Sequence, residues 1–452
     1  MGSRACYFVL ILVCSLSLVA CETEPGEGFD GDAPTYYADA KPILDARCVT
    51  CHALGDIAPF VLDDYQQAFE ARGAIAASVE AGTMPPWPPA DDCQSYEHDR
   101  SLTGAERDLL LAWVEAGAPE GDPSDAPPDS SGDSEEREMR VDLTLQLDEP
   151  YVPQSSPDDY RCMVVEWPED ETRFITGFEV VPDRREMVHH VIAFSANAAA
   201  ADTYRALDAE EEGQGYTCYG GPGGNGAGLG SGVRWVASWA PGPAGRVFTE
   251  GTGIEVEPGS VIILQMHYNT LTVEPMADQS RIELMLESEV ERPATVMPFT
   301  DIGWVLGTDP MTIPPHEADV VHSTSRDIAA TALDYRAASI GLSDGDDFVV
   351  HATGLHMHQL GTQIRTWLQR ADGSVECLLD IPAWDFGWQG AYSLSEPVTV
   401  RAGDRMFLEC HWDNTVENQV IIDGDPLPPR EVSWGDQTTD EMCLAIYYIT
   451  GA

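Results

Sequence analysis

The sequence predicts a mainly β protein with a small helical domain in front of it. Short runs of β-branched and aromatic residues recur between Gly, Pro, Asn and Asp turns, as in residues 173–181 and 398–404. Helical periodicity is sparse beyond residue 140. Ahead of that point, residues 102–117 predict one helix, with Thr103 at its N-cap and Glu106 three residues later.

Residues 1–20 are typical of a lipoprotein signal peptide, because Arg4 precedes an apolar stretch that ends in Leu18-Val-Ala-Cys21. Cleavage before Cys21 would leave its thiol to carry lipid. We therefore expect an exported protein of the cell envelope, anchored to the outer membrane, since Glu22 is not the aspartate associated with inner-membrane retention. A plain secretory peptide with an incidental cysteine is the alternative. Either peptide places the protein outside the cytoplasm, where disulfides persist.

After a tether over residues 21–34, the motif Cys48-Val-Thr-Cys51-His52 is typical of covalent attachment of one c-type haem. Both cysteines would form thioethers with the vinyl groups, and His52 would be an axial iron ligand. A zinc site or a redox dithiol is the alternative. Zinc would need a second Cys or His pair nearby, and a thioredoxin-like dithiol would need a βαβ context, and the sequence offers neither.

Met84 is the natural second axial ligand, because it is the only methionine between His52 and the end of this domain. A Met–His pair raises the haem potential relative to two histidines. His98 is the alternative ligand. Together with the helix over 102–117, these residues predict a small all-α cytochrome c-like domain over 35–121, followed by an acidic flexible linker over 122–138.

Histidines gather in three tight groups within the β region. Residues 261–269 predict a buried strand, with His267 near its end, where the side chain can reach a cleft. His356 and His358 are two residues apart, so on a strand both rings point to the same face and can share one ion. His189 and His190 are adjacent, so sharing an ion requires a β-bulge or the use of different ring nitrogens.

A single histidine near a strand end is usually an ordinary hydrogen-bonded residue, but five in three groups predict metal ligands. Imidazole suits zinc, copper, iron or nickel, and an added thioether favours copper, which cycles through the soft Cu(I) state. Met442 is the candidate thioether. It lies in the apolar run 442–449, where methionine usually packs in the core, and that alternative stays open.

Four sequence blocks give a specific resemblance over residues 140–452. They occur in the order found in copper type II ascorbate-dependent monooxygenases, a family that includes peptide-amidating and dopamine-hydroxylating members. The blocks are Val188-His-His-Val-Ile-Ala-Phe194, Leu264-Gln-Met-His-Tyr-Asn269, Leu355-His-Met-His-Gln-Leu-Gly361 and Asp440-Glu-Met-Cys443. The resemblance implies two antiparallel jelly-roll-like β-sandwich domains, over 139–300 and 301–452, with one copper in each facing a solvent-filled cleft.

The resemblance also implies hydroxylation of a C–H bond of a small organic substrate with O2. The implied ligands of an electron-storing copper are His189, His190 and His267. Those of the copper that binds and activates O2 are His356, His358 and Met442. Ascorbate or a redox protein would donate the electrons, and we expect the fused haem to pass them singly to the first copper.

The same resemblance implies disulfides between Cys162 and Cys218 and between Cys410 and Cys443, and leaves open whether Cys93 and Cys377 pair.

Two departures from the family bear on the substrate. Peptide-amidating members hold a substrate carboxylate with an arginine where this chain has Gly354, and carry a tyrosine where it has Ile446. We therefore expect a substrate other than a peptidylglycine, more apolar or neutral in character. His351 and Asp385 lie near these blocks, but we assign neither a catalytic role.

A net charge of −53 makes nucleic acid an implausible partner. The rival to an enzyme is a non-catalytic, surface-anchored lipoprotein that binds copper and transfers electrons. The unequal ligand groups favour the enzyme, because storage and O2 activation require different sites. The intact ligand groups and haem motif argue against a scaffold whose sites have decayed.

Overall fold

The computed structural model describes residues 33–54, 58, 60–128, 139–223, 232–239, 245–270, 273–327, 339–343, 345–422, 425–435, 437 and 439–452. The predicted signal peptide, Cys21 and most of the tether and linker lie outside the described residues. Within the described ranges, no helix combines the length and apolarity needed to cross a lipid bilayer.

The front of the described chain is helical. A π-helical turn at Tyr36–Ala40 leads into α1 (Lys41–Arg47), α2 (Val49–His52), α3 (Tyr65–Ala81) and α4 (Gly104–Glu115). The predicted capping box of α4 is confirmed, since the Thr103 side chain accepts from the Glu106 backbone and the Glu106 side chain accepts from the Thr103 backbone. Leu44, Leu110 and Trp113 are fully buried in the core between these helices. Whether this helical unit is a cytochrome c-like domain stays a prediction.

The rest of the described chain is mainly strand, as predicted. Its elements, in chain order, are β1 (Leu143–Gln146), β2 (Asp158–Glu166), β3 (Arg173–Val181), β4 (Val188–Ala196), α5 (Ala198–Glu210), β5 (Tyr216–Thr217), β6 (Val233–Trp239), β7 (Gly245–Val247), β8 (Thr252–Val256), β9 (Val261–Asn269), β10 (Arg281–Glu287), β11 (Arg292–Phe299), α6 (Ile302–Leu306), β12 (Val320–Asp327), β13 (Phe348–His356), β14 (Gly361–Gln369), β15 (Val375–Ile381), β16 (Ala391–Val400), β17 (Arg405–Trp412), β18 (Ile421–Ile422), β19 (Asp425–Pro426) and β20 (Leu444–Gly451).

Three larger sheets contain most of these strands, and β18 and β19 form a separate two-stranded sheet. One has the order β5-β2-β9-β4-β6, and a second has the order β12-β17-β14-β15. The third has nine strands, in the order β1-β10-β3-β8-β11-β20-β13-β16 with β7 beside β3. Side chains between the sheets form two large apolar cores, in keeping with sandwich-like packing.

The nine-stranded sheet joins the two predicted β-domains. Its strand β11 belongs to the first half of the β region and pairs with β20 from the end of the chain. The expected all-antiparallel pairing also fails at one point, because β8 and β11 run parallel over Arg292–Ala294. The chain passes through β9 in another sheet and returns through β10 before it reaches β11, so it arrives beside β8 in the same direction.

The described cysteines other than Cys48 and Cys51 form three disulfides. Cys162–Cys218 and Cys410–Cys443 confirm the pairing that the resemblance implied. The pair left open is also joined, because Cys93 bonds to Cys377 across 284 residues of sequence.

The third disulfide fastens the helical unit to the C-terminal β region. Near it, Tyr96 forms an antiparallel bridge with Leu394, and the Tyr96 hydroxyl donates to the Leu378 carbonyl over 3.1 Å. Trp87 packs edge-on against Tyr392, with ring centroids 5.3 Å apart. These contacts hold the helical unit against the C-terminal β region, independently of the linker.

Candidate metal centres

The first histidine cluster lies on two neighbouring strands. His190 on β4 is directly opposite His267 on β9, and the register between these strands shifts between Val188 and His190. His189 is thus the extra residue of a β-bulge, which turns its ring towards the other two. The bulge that the sequence required for joint coordination is present.

Nitrogens of the three rings converge on one point. The Nδ1 atom of His190 lies 3.4 Å from Nδ1 of His189 and 3.3 Å from Nδ1 of His267. The nearest ligand atoms of all three residues lie within 4.8 Å of one another. Metal–imidazole bonds of about 2.0 Å at angles near 110–120° place two nitrogens about 3.3–3.5 Å apart. The spacing therefore fits a single ion.

Hydrogen bonding and burial prepare these rings to bind a cation. The Nε2–H of His267 donates to the Asp158 carboxylate over 2.9 Å, which leaves the Nδ1 lone pair facing the cluster. Tyr160 stacks on the His267 ring at 4.0 Å and fixes its plane. Burial lowers the pKa of His189 to about 4 and that of His190 well below its usual range. Neutral imidazole is the form that coordinates a metal.

The second histidine cluster lies where β13 ends. The rings of His356 and His358 are 5.0 Å apart, and the intervening Met357 is fully buried. The Nδ1–H of His356 donates to Gln389 Oε1 over 2.6 Å, and that of His358 donates to the Asp440 carbonyl over 3.1 Å. Both rings therefore keep Nε2 unprotonated for a metal. Burial lowers both pKa values, that of His358 to about 3.

Met442 is buried, with 9% of its surface exposed, two residues before Leu444, which pairs with His356 across β13 and β20. This register carries the methionine segment to the end of β13, where the two histidines are. The disulfide at Cys443 anchors the same segment to β17.

Sequence reasoning missed Glu441, a fully buried carboxylate beside Met442. It accepts from the backbone N–H of His358 over 2.9 Å, from the backbone N–H of Leu360 over 2.7 Å and from the Trp412 indole over 2.9 Å. Burial raises the pKa of Glu441 to about 7. The carboxylate thus links the His358 segment to the Met442 segment. The sequence signal that could have identified Glu441 was its position within the Asp440–Cys443 block.

Sequence reasoning also missed Phe386, whose half-buried ring stands between the two clusters. The ring stacks on His189, with centroids 5.3 Å apart and planes 23° apart. It meets His358 edge-on at 6.1 Å. One aromatic ring thus contacts a histidine of each cluster, and the solvent-filled cleft that the resemblance implied stays a prediction.

The predicted haem motif forms one turn of helix. Cys48 precedes α2, which contains Cys51 and His52, and the two cysteines are not joined by a disulfide. The Nδ1–H of buried His52 donates to the Phe60 carbonyl over 2.9 Å, so Nε2 carries no proton. Burial raises the pKa of the Cys48 thiol to about 11.

The remaining candidates lie as follows. Met84 is half-buried just after α3, and His98 is exposed. The role of either as an axial ligand stays a prediction. Buried His351 shares a hydrogen bond of 2.9 Å with the Thr450 hydroxyl, and Asp385 accepts from the Gly387 backbone in a turn.

Two family models match this chain. Residues 143–275 match "Copper type II ascorbate-dependent monooxygenase, N-terminal domain", and residues 301–450 match the C-terminal domain of the same family. Together the matches cover more than half of the chain.

A curated relative is DBH-like monooxygenase protein 2 of Mus musculus, which is 24% identical over 375 residues. The alignment covers 78% of this chain but 54% of the relative, so this chain spans about half the length of that protein.

Solved structures that resemble the chain include a secreted protein from Parabacteroides distasonis. It is 9% identical, covers 69% of this chain and 88% of its own, and has a TM-score of 0.16. Another is Broad Bean Stain Virus, 7% identical, with 71% and 93% coverage and a TM-score of 0.28. Similarities this low have no bearing on the function.

Proposed function

This chain belongs to the copper type II ascorbate-dependent monooxygenase family, and we propose that it hydroxylates a C–H bond of a small organic substrate with O2. One oxygen atom enters the product and the other leaves as water, with two electrons and two protons supplied from outside. The observation that carries the proposal is the presence of two unlike clusters facing each other, one of three imidazoles and one of two imidazoles beside a methionine.

The residues of each cluster fit copper. His189, His190 and His267 offer three converging nitrogens, which suit an ion that stores one electron. In the other cluster, His356 and His358 offer Nε2 atoms, and Met442 would add a soft thioether. Copper bound at these residues would supply one-electron transfer at the first site and O2 activation at the second.

The protein's own contribution is to hold these groups in one protonation state and orientation. Asp158 fixes the tautomer of His267, and Gln389 fixes that of His356. Gln389 is itself oriented, because its amide donates to the Phe386 carbonyl over 2.9 Å. Phe386 packs against one histidine ring of each cluster and so limits their movement. The site is thereby organised before any ligand enters.

We further propose that the helical unit carries one covalent c-type haem. Cys48 and Cys51 would hold it, His52 would bind the iron through Nε2, and Met84 or, as the alternative, His98 would complete the axial pair. The hydrogen bond from His52 to Phe60 supports this assignment, because it fixes the tautomer that a ligand requires. A haem held there would relay single electrons from ascorbate or a redox protein.

The docking of the helical unit keeps this proposed electron carrier beside the β region that it would serve. Lipid on Cys21 would place the protein at the outer membrane, within the cell envelope.

The test is metal analysis of protein matured in a periplasm that has haem-attachment machinery, followed by product analysis under isotopically labelled O2. We expect two coppers and one haem iron per chain, with labelled oxygen in the product. His267→Ala and His356→Ala should each remove one copper. His411→Asn is the matched control, since the His411 side chain bonds to exposed Asp319 and belongs to neither cluster.

Haem iron without copper, even after copper loading, would overturn the proposal. Bound copper and reducible haem without an oxygenated product, across a broad substrate panel, would instead favour the rival function, a surface-anchored copper-binding and electron-transfer protein.

A further inference from the structure

A cleft lies on the same sheet face as His356. On β13, alternate residues share a face, so Ala352, Gly354 and His356 point the same way. Ile446 on β20 and Ala391 on β16 are both directly opposite Gly354, and residues directly opposite each other share a face. Ala352, Ala391 and Ile446 all line the cleft. The cleft therefore runs along the strand that ends in His356.

The cleft is apolar and close to the second cluster. Its enclosed part has a volume of about 40 Å³, which is room for a group the size of a carboxylate, and the rest of the cleft is open to solvent. Its opposite wall includes Trp235 and Phe248 from the first half of the β region. A strand rises about 3.3 Å per residue, so the cleft at Gly354 lies about 7 Å from His356 along β13. A substrate in this cleft would extend towards the site where we propose that O2 is activated.

The backbone at Gly354 leaves no free space for a side chain at the floor of the cleft. Gly354 has no side chain, and a Cβ atom built on it would already lie 3.3 Å from the Gly390 carbonyl and 3.6 Å from the Ala391 Cβ. The arginine and tyrosine that amidating relatives place at positions 354 and 446 are replaced by Gly354 and Ile446. The carboxylate anchor of those relatives is therefore missing from this wall.

Arg246 brings a guanidinium to the cleft from the other wall. It lies on β7, opposite Phe178, and lines the cleft. Its Nη2 donates to the Ser393 hydroxyl over 3.0 Å. Within the described residues, no carboxylate forms an ion pair with it, although exposed Glu97 is near enough to favour its charged form. The residue as a whole is half-buried, yet burial is the main cause that lowers its pKa.

A guanidinium has five N–H donors, and a buried one without an anionic partner is costly. The Ser393 hydroxyl satisfies only part of this capacity. A carboxylate ligand would satisfy the rest through paired hydrogen bonds, the geometry that Arg and carboxylate favour. The surrounding apolar walls would strengthen those bonds by excluding water.

We propose that this cleft is the substrate site and that Arg246 binds a carboxylate on the substrate. The inference rests on the proposed monooxygenase function and names the substrate class as a monocarboxylate with an apolar aryl or alkyl body. It replaces the apolar or neutral molecule that the sequence led us to expect. Ser393, which Arg246 contacts, is opposite Ala352, four residues before His356. That separation is about 13 Å along the strand. The reacting carbon is therefore several atoms removed from the carboxylate.

The test measures binding to copper-free, full-length protein, so that it does not depend on turnover. Hydrocinnamate is the probe and its neutral amide, hydrocinnamamide, is the comparison, with binding followed by calorimetry. The variants are Arg246→Gln, Arg246→Lys and Ala391→Leu, the last at an exposed position that narrows the cleft. Arg234→Gln is the matched control, because Arg234 lies on the adjoining strand β6 but ion-pairs with Glu255 over 3.2 Å. Melting temperatures check that each variant folds.

We expect Arg246→Gln to weaken hydrocinnamate binding by about 10- to 100-fold, the range for loss of a charge-assisted hydrogen bond. Arg246→Lys should retain part of the affinity, and binding of the amide should change less than about twofold, since it carries no charge. Ala391→Leu should weaken both probes, and Arg234→Gln neither.

Failure of hydrocinnamate to bind the wild type, or an equal loss for acid and amide in Arg246→Gln, would overturn the inference. Turnover is measured separately on copper-loaded protein. Turnover of neutral substrates that is insensitive to Arg246 would uphold the proposed function and defeat this inference. Binding that depends on Arg246 without any turnover would uphold this inference and defeat the proposed function.

Discussion

Asp158 should control copper affinity at the first cluster alone. Its Oδ1 accepts from His267 Nε2 over 2.9 Å and also from the Asn269 amide over 2.9 Å. Asp158→Asn keeps the size of the side chain but removes the negative charge that makes the His267 nitrogen a stronger donor to a metal. Carboxylate partners of metal-binding histidines are typically worth about 10- to 100-fold in affinity. That range corresponds to about 1.4–2.7 kcal/mol.

The assay is Cu(I) competition with a chromophoric chelator, in a His356→Ala background that isolates the first site. Gln389→Leu, in a His267→Ala background, is the reciprocal variant, because Gln389 bonds to His356 of the second cluster. We expect each variant to weaken only its own site. Equal affinities for Asp158→Asn and its parent, or an equal loss at both sites, would refute the idea that these hydrogen bonds orient separate ligand sets.

Three further predictions address the rest of the molecule. Phe386→Ala should leave two coppers bound but alter the magnetic coupling between Cu(II) ions seen by electron paramagnetic resonance, whereas Trp388→Ala in the same loop should not, because the contacts to both clusters come from Phe386. Copper-free protein should lose stability as the pH falls from about 6.5 towards 4. The lowered pKa values of His189 and His358 mean that the unfolded chain binds protons in this range that the folded chain does not. Melting curves measured across this range should show the loss, and a melting temperature that does not change with pH would contradict it. Replacing Cys93 and Cys377 together by serine should lower the melting temperature, because loss of a native disulfide typically costs about 2–5 kcal/mol of unfolding free energy. Hydrogen exchange should also become faster in residues 87–97. An unchanged exchange rate there would show that the noncovalent contacts suffice to hold the helical unit in place.

The sequence was sufficient to predict features that depend on local pattern. Short runs of β-branched and aromatic residues between turn residues predicted a mainly β fold, and the capping residues of α4 predicted where that helix starts. The adjacency of His189 and His190 required a bulge, because side chains alternate along a strand, and the register shows that bulge.

Other features depend on segments far apart in the chain, and no local pattern announces them. Phe386 meets His189 across nearly 200 residues, and Arg246 meets Ser393 across 147. The pairing of Cys93 with Cys377 likewise depends on how the helical unit docks. For these residues the sequence offered only the residue type: an aromatic residue, an arginine, and two cysteines without an assigned partner.

The shared sheet limits how the two clusters can move relative to each other. Strands β11 and β20 pair without interruption from Ala294 opposite Thr450 to Phe299 opposite Ala445. Opening the two halves of the β region like a hinge would break this ladder, whose buried backbone groups would then lack partners. Rearrangement near the clusters is therefore confined to loops, and the loop that carries Phe386 and Gln389 contacts both sites. A substrate that enters along the cleft beside Ala391 would meet this loop first, so its binding can adjust the space between the clusters without moving the strands that hold their histidines.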